Sequence, residues 1–365
     1  MLKILLMGGT GAMGNHLKDI LLEKGNEVYI TSRSHHDDRG NLHYLQGNAL
    51  DRNFICPVLE SQPWDAIVDF MIYSTESFKT FSKTLLSSTK QYVFISSARV
   101  YSNHDSLITE ETPRLLDISD DKDYLNTDEY ALRKAREEDV INQSGFHNYT
   151  IIRPYITYSE NRLQLGDLEH SSWLYRALSG RTIVFSKDVA NHITTLTYGR
   201  DVAYGIAASI GNEKAYGHAF HITSPDSFKW RMVLEIYLDA IEKVTGNRPK
   251  VKMIAKSLKL LDKKSQYQVK YDRLFDRQFD NTKILALTGD FQFTEVKEGL
   301  TKCISEYVKN WKETKPSYLE EAERDILTHE YIPFRNIDTF RNKVIYFVCR
   351  YLRMSDLLRK IAKSN

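Results

Sequence analysis

Long apolar runs are missing from this chain. Nowhere do consecutive apolar residues approach the ~20 needed to cross a bilayer. The chain opens as a strand, not as the charged segment, apolar core and cleavage site of a leader peptide. Cysteine is scarce: Cys56, Cys303 and Cys349 are all that 365 residues contain. Their separations match neither a zinc-ligand nor a disulfide spacing, so no metal centre is expected and a reducing, cytoplasmic location fits best. An excess of one charge is missing too. Fifty Lys and Arg stand against 48 Asp and Glu, a net charge of +2. No global field recruits nucleic acid, although local basic patches stay open. Repeats and low-complexity tracts are absent. What remains, 42% hydrophobic and 27% charged residues, describes an ordinary globular chain with one large or two moderate domains.

The chain is organised around its first two dozen residues. Leu2 to Met7 reads as a buried strand, and Met13, Leu17, Ile20, Leu21 and Leu22 recur at helical spacing, with Gly25 placed to end the helix. Between them lies Gly8-Gly9-Thr10-Gly11-Ala12-Met13-Gly14. Glycines let backbone N–H groups approach a pyrophosphate, and the helix N-terminus favours its negative charge. The glycines at 8, 11 and 14 are three apart, unlike the dehydrogenase order G-x-G-x-x-G. Further strands are expected at Glu27–Thr31, Leu42–Leu45, Ala66–Ile72 and Tyr92–Ile95, with a helix through Phe78–Leu86. Strands alternating with helices imply an α/β fold, a Rossmann-type doubly wound parallel sheet with ligands at the carboxyl ends of its strands. After the second strand come Ser32 and Arg33, with no carboxylate before Asp37. An acid there would bind the 2′-hydroxyl of NAD, whereas an arginine pairs with a 2′-phosphate. NADP is therefore favoured over NAD, the alternative being a surface arginine or one stacked on adenine.

Ser97 stands where the strand Tyr92–Ile95 stops, within Ser96-Ser97-Ala98-Arg99-Val100-Tyr101. A serine there can meet a ligand or merely cap the strand end. Residues 103–128 are polar and acidic and read as a long surface loop over the site. Asn126 and Glu129 resemble a capping box opening a helix. On that helix Tyr130 and Lys134, four apart, share a face. A lysine beside a phenol favours phenolate and makes a usable proton acceptor.

Taken together, the Gly8/Gly11/Gly14 turn, the Ser97 strand end and the Tyr130/Lys134 helix resemble the extended short-chain dehydrogenase/reductase family of nucleotide-sugar epimerases and dehydratases, here in an atypical branch. The resemblance extends over residues 1–225 and includes Arg153-Pro154 and Arg200-Asp201-Val202-Ala203. It implies catalytic roles for Ser97, Tyr130 and Lys134. Cofactor contacts are expected at Gly8, Thr10, Gly11, Ala12, Met13, Gly14, Ser32, Arg33, Asn48 and Lys134. Ala98 and Arg99 stand where dehydratases of the family carry an acidic pair, so elimination of water is not expected. Ile156 and Tyr158-Ser159-Glu160 depart from the usual nucleotide-sugar contact. The segments around Asp69–Tyr73 and Phe94–Ser97 look like the branch that includes chloroplast stem-loop RNA-binding proteins.

Three functions follow for comparison. The first is an NAD(P)-dependent epimerase or related oxidoreductase acting on a sugar, read here as nucleotide-linked; the second is an NADPH-dependent ketoreductase of a sugar or small carbonyl compound. The third is a non-catalytic dinucleotide-binding module that binds RNA or a partner protein. The intact Ser97/Tyr130/Lys134 set favours an enzyme, and near-neutral charge disfavours RNA. A homodimer is carried as the expected assembly. The domains are expected at 1–158, with later strands from 183–225, then a smaller α/β substrate domain at 159–315 and a helical extension at 316–365. Arg162, His170, Trp173, Tyr175, Arg176, His192 and Arg200 are cationic and aromatic candidates for the substrate, most of them expected to be uninvolved. Helices are expected at Phe228–Val244 and Thr301–Trp311. Residues 337–363 are basic and amphipathic, which suits either a closing helix or a peripheral contact with an anionic membrane.

Overall fold

The first strand, β1 (Lys3–Met7), is fully buried from Ile4 to Met7, as a run of apolar residues inside a parallel sheet must be. It is central in a seven-stranded parallel sheet with β2 (Glu27–Ser32), β3 (Leu42–Gln46), β4 (Ala66–Asp69), β5 (Tyr92–Ile95), β6 (Tyr149–Pro154) and a last strand His218–Ile222. From one edge the order is His218–Ile222, β6, β5, β4, β1, β2, β3. The order reverses at β1, and that switch point opens a crevice at the strands' carboxyl ends. The computed structural model describes residues 1–262, 265–289, 291–312, 315–355 and 357–359.

Helices cover both faces. On one side α1 (Gly14–Glu23) and the helix Gly199–Ser209 pack Leu17, Leu21, Val202 and Ile206 against Ile4, Leu6, Val68 and Val93. On the other, α2 (Arg52–Glu60) and α3 (Thr75–Ser87) bury Ile55, Leu59, Phe78 and Leu85 against Leu5, Ile67 and Phe94. Alternate residues of each strand thus feed opposite cores.

The chain divides into two units: 1–162 with 193–228 and 270–303, and 163–192 with 229–269 and 304–365. Within the expected returning segment 183–225, only His218–Ile222 joins the sheet. Ile183–Ser186 pairs instead with Val251–Ile254 inside the second unit. That unit also holds α-helices His170–Leu178, Trp230–Thr245, Tyr318–Thr328 and Phe340–Tyr351. Residues 316–355 are therefore built into it, not appended. Its centre contains Trp173 stacked on Tyr237 at 4.7 Å. It also contains an ion cluster in which fully buried Arg176 reaches Glu321 at 2.7 Å and Asp325 at 3.0 Å.

Candidate functional site

β1 delivers the chain into the glycine turn. Gly8 has φ of +73°, a conformation that a side chain resists, and its N–H donates to the Thr31 hydroxyl at 2.9 Å. A β-carbon at Gly14 would overlap the Gly9 carbonyl, so α1 can start this close to β1 only with glycine there. Gly199 is equally constrained: its β-carbon would overlap the Ala12 carbonyl. A cleft of about 330 Å³ opens above the turn, lined by Gly8, Thr10, Ser32, Arg33 and Asn48. Gly11, Ala12, Met13 and Gly14 shape the turn and helix start without lining this cleft.

The far wall of the cleft is Phe70, Met71 and Ile72, which the sequence pattern assigns to β4. The strand stops at Asp69 because the Asp69 carboxylate takes the Met71 N–H at 2.8 Å and turns the chain out of the sheet. Asp69 is fully buried and also accepts from the hydroxyls of Tyr92 at 2.7 Å and Tyr73 at 2.9 Å. Burial pushes its carboxyl above the usual range against the pull of those hydrogen bonds.

Ser97 is nearly buried at the end of β5, and its Oγ accepts the Arg99 N–H at 3.2 Å. After the one-turn helices α4 (Leu115–Ile118) and α5 (Lys122–Leu125), Tyr130 is the first residue of α6 (Tyr130–Asn142) and is half-buried. The cap differs from the expected Asn126/Glu129 box. Asn126 closes a preceding turn of helix, Lys122–Leu125, whereas Glu129 caps α6 by itself, accepting the Ala131 N–H at 2.7 Å. The other Glu129 oxygen holds the Arg99 guanidinium at 2.6 Å. One carboxylate thereby ties the segment after Ser97 to the first turn of α6. Arg99 lies over the Tyr130 ring at 5.3 Å and Arg133 at 5.7 Å. Both are cations beside a phenol whose oxygen must carry negative charge if it is to accept a proton. Spacing alone gave no sign of either.

Lys134 points inward from the same helix. It is 1% exposed, lies over the Phe94 ring at 4.4 Å and sits 3.0 Å from Glu137. The contact is an ion pair without hydrogen-bond alignment, so the ammonium N–H groups have no hydrogen-bond partner among the described residues. Burial raises the Glu137 carboxyl, and Lys134 pulls it back down. Behind this layer, Glu138 accepts from Ser96 at 2.6 Å and from Arg153 at 2.8 Å, which fixes β5, β6 and α6 together.

Residues 103–128 are tied down rather than a free cover. Ile108 donates its N–H to the Gln278 carbonyl at 2.8 Å, and Asp121 accepts from Lys270 at 2.7 Å and from Tyr271 at 2.5 Å. Three of the substrate candidates are interior: Trp173, Tyr175 and Arg176 are buried in the second unit. Arg162 and Arg200 are exposed, and His170 and His192 are half-buried.

The sheet order, the glycine turn and the crevice define a dinucleotide-binding protein of the extended short-chain dehydrogenase/reductase class. Residues 4–222 match the model of the NAD dependent epimerase/dehydratase family, and the chain belongs to that family. It is 26% identical over 236 residues to the chloroplast stem-loop binding protein of 41 kDa b from Arabidopsis thaliana, a match covering 60% of this chain and 58% of that protein. With a UDP-glucose 4-epimerase from Streptococcus mutans it shares 33% identity over 135 residues, covering 30% of this chain and 40% of the relative. The matches thus span little more than half of these relatives at most. The fold is that of a crystal structure of UDP-glucuronic acid 4-epimerase from Bacillus cereus in complex with UDP-glucuronic acid and NAD. That likeness has a TM-score of 0.64 at 16% identity and covers 85% of this chain and 100% of the other. The residues here fit a dinucleotide: a turn with no room for β-carbons at Gly8, Gly9 and Gly14, an open cleft beside it, and a buried ammonium that has an ion pair with Glu137 and no hydrogen-bond partner among the described residues.

Proposed function

We propose that the protein is an NAD(P)-dependent oxidoreductase of the epimerase type that acts on a hydroxyl-bearing carbon of a nucleotide-linked sugar. The observation that carries this reading is the Arg99–Glu129 tie between the segment after Ser97 and the start of the helix that carries Tyr130. Ser97 stands at the end of β5 and Tyr130 at the start of α6, with Arg99 stacked over the phenol. Gly8, Thr10 and Asn48 would hold the dinucleotide, and the Lys134 ammonium would donate to a ribose hydroxyl. When bound, the dinucleotide supplies a hydride acceptor. Tyr130 takes the substrate's hydroxyl proton at Oη and later returns it. Ser97 donates its hydroxyl proton to the substrate oxygen and holds it as it becomes a carbonyl. Elimination of water is not part of the reading: Ala98 has no proton to exchange, and Arg99 is engaged by Glu129.

Replacing Tyr130 by Phe removes the acidic proton and keeps the ring. Turnover should fall at least ~100-fold with an unchanged melting temperature. Full activity in Tyr130→Phe on a nucleotide sugar would overturn the assignment. A second reading, an NADPH-dependent ketoreductase, is favoured by exposed Arg33 at the cleft. Denaturing the purified protein and identifying the released cofactor separates the two. Retained NAD without net redox turnover marks the epimerase; NADPH that exchanges freely marks the reductase. Likeness to a stem-loop binding protein raises RNA as a third ligand, but in the site Arg99 and Arg153 are already paired with Glu129 and Glu138. Phosphate contacts need uncommitted cations.

A further inference from the structure

The helix Phe340–Tyr351 has two apolar faces, and only one is spent. Tyr346 and Cys349 point inward and are fully buried with Tyr318, Ala322, Ile332 and Ile337. Phe340, Val344, Phe347 and Tyr351 follow one another at spacings of four, three and four, which puts them in a single stripe on the opposite side. They are exposed by 81%, 45%, 44% and 51%. Phe334 packs on Phe347 at 6.3 Å and is itself exposed, as are Leu352, Met354 and Leu357 beyond the helix. Scattered apolar residues on a surface need no explanation, but a continuous aromatic and aliphatic stripe does.

The charged residues of the helix itself have one sign. Arg341 and Lys343 fall on its two sides, with Arg335 before the helix and Arg353 after it. None of these four has an ion-pair partner among the described residues. The acid in this stretch, Asp338, is already neutralised by Lys315 at 2.9 Å. Asp356, Lys360, Ile361 and Lys363 lie outside the described residues. No helix among the described residues is long and apolar enough to cross a membrane.

We propose that this face rests on an anionic phospholipid surface, the aromatic stripe entering the headgroup boundary while the flanking cations meet lipid phosphates. A second copy of the chain fits the face poorly. In a twofold contact each stripe would meet its own image and bring these four cations against another four. An anionic bilayer satisfies both the apolar and the cationic halves of the pattern.

The test is co-sedimentation of the full chain with vesicles of phosphatidylcholine and phosphatidylglycerol, against vesicles of phosphatidylcholine alone. Binding is expected to the anionic vesicles at low salt and to weaken as salt rises. Phe340→Ser with Phe347→Ser removes apolar groups that support no core, and Arg341→Glu with Lys343→Glu reverses the flanking charge. Each pair should lower vesicle binding at least about tenfold while the melting temperature stays put. Absence of binding at low salt, or equal binding to neutral vesicles, overturns the proposal. So does a concentration-dependent dimer, measured by light scattering, that dissolves in Phe340→Ser/Phe347→Ser.

Discussion

The question of cofactor choice falls on one residue, Arg33. It is exposed at the rim of the cleft above the glycine turn, after the buried end of β2. Among the described residues no carboxylate holds it, so its guanidinium is free to pair with a 2′-phosphate or to lie against an adenine. Arg33→Ala should weaken NADP binding about tenfold or more and leave NAD binding nearly unchanged, since a charge-assisted hydrogen bond contributes ~1.5–3 kcal/mol. Calorimetric titration of both cofactors checks it. Equal loss would indicate stacking on adenine, and no loss would make Arg33 a bystander. At this scale the sequence shows where a residue stands at a strand end, as with Ser97 and Arg33. It is unreadable where chemistry is set by a contact across the fold. The stacking of Arg99 over Tyr130 joins residues 31 positions apart in the chain, and Arg176 looks identical in sequence whether it faces a substrate or a buried Glu321. Ile156 is a further case: its φ of +32° is a strained position for a β-branched side chain, and nothing in its neighbours announces it.

Elements with strong apolar patterning form where their periodicity puts them: β1, β2, β3 and β5 differ from the expected bounds by at most one residue. Two kinds of departure have local causes. α2 contains Pro57, which hides a helix from propensity arguments, and β4 is cut short by the Asp69 side chain. The edge strand His218–Ile222 carries a buried histidine. His221 is fully buried; its Nε2–H donates to the Asp280 carbonyl at 2.6 Å, and its Nδ1 faces the Tyr101 hydroxyl at 3.2 Å and Glu110 at 3.6 Å. Burial pushes the imidazole pKa below its ordinary value, Glu110 and Asp280 pull it up, and Arg153 adds to the depression. A histidine whose folded pKa is depressed takes its proton more readily in the unfolded chain. Its contribution is complete above about pH 6.5 and is lost as pH falls through that value toward the folded pKa. Between about pH 7 and pH 5 the unfolding free energy should therefore fall more steeply in the natural protein than in His221→Gln. The difference in slope is at most ~1.4 kcal/mol per pH unit. Parallel stability curves, from urea unfolding at a series of pH values, would remove His221 from the account.

For the molecule as a whole, the family match at 4–222 lies mostly in one unit, and the other joins the matched segment 163–192 to residues beyond the match. Ending the chain at Lys315 tests how the second unit is held. Arg176 is wholly buried between Glu321 and Asp325, with Glu330 at 2.7 Å; Arg181 shares the same two acids, and the Tyr346 hydroxyl donates to Asp325 at 2.5 Å. Removing 316–365 takes away every one of these acids and leaves two guanidiniums facing a vacated interior. Breaking one buried pair costs about 3–5 kcal/mol, a large fraction of the 5–15 kcal/mol that holds a typical domain together. The lost core around Tyr318, Ile332, Ile337 and Tyr346 adds to that. The shortened chain retains every segment of the first unit, including the glycine turn, Ser97 and Tyr130. It should bind dinucleotide still, but limited proteolysis should cut it within 163–192 and 229–269 while the full chain resists there. Resistance equal to that of the full chain would show that the second unit stands without its C-terminal helices. For the same reason a truncation cannot report on membrane contact. Loss of vesicle binding in it would follow from unfolding alone, whereas Phe340 and Phe347 can be changed one side chain at a time on a helix that stays packed.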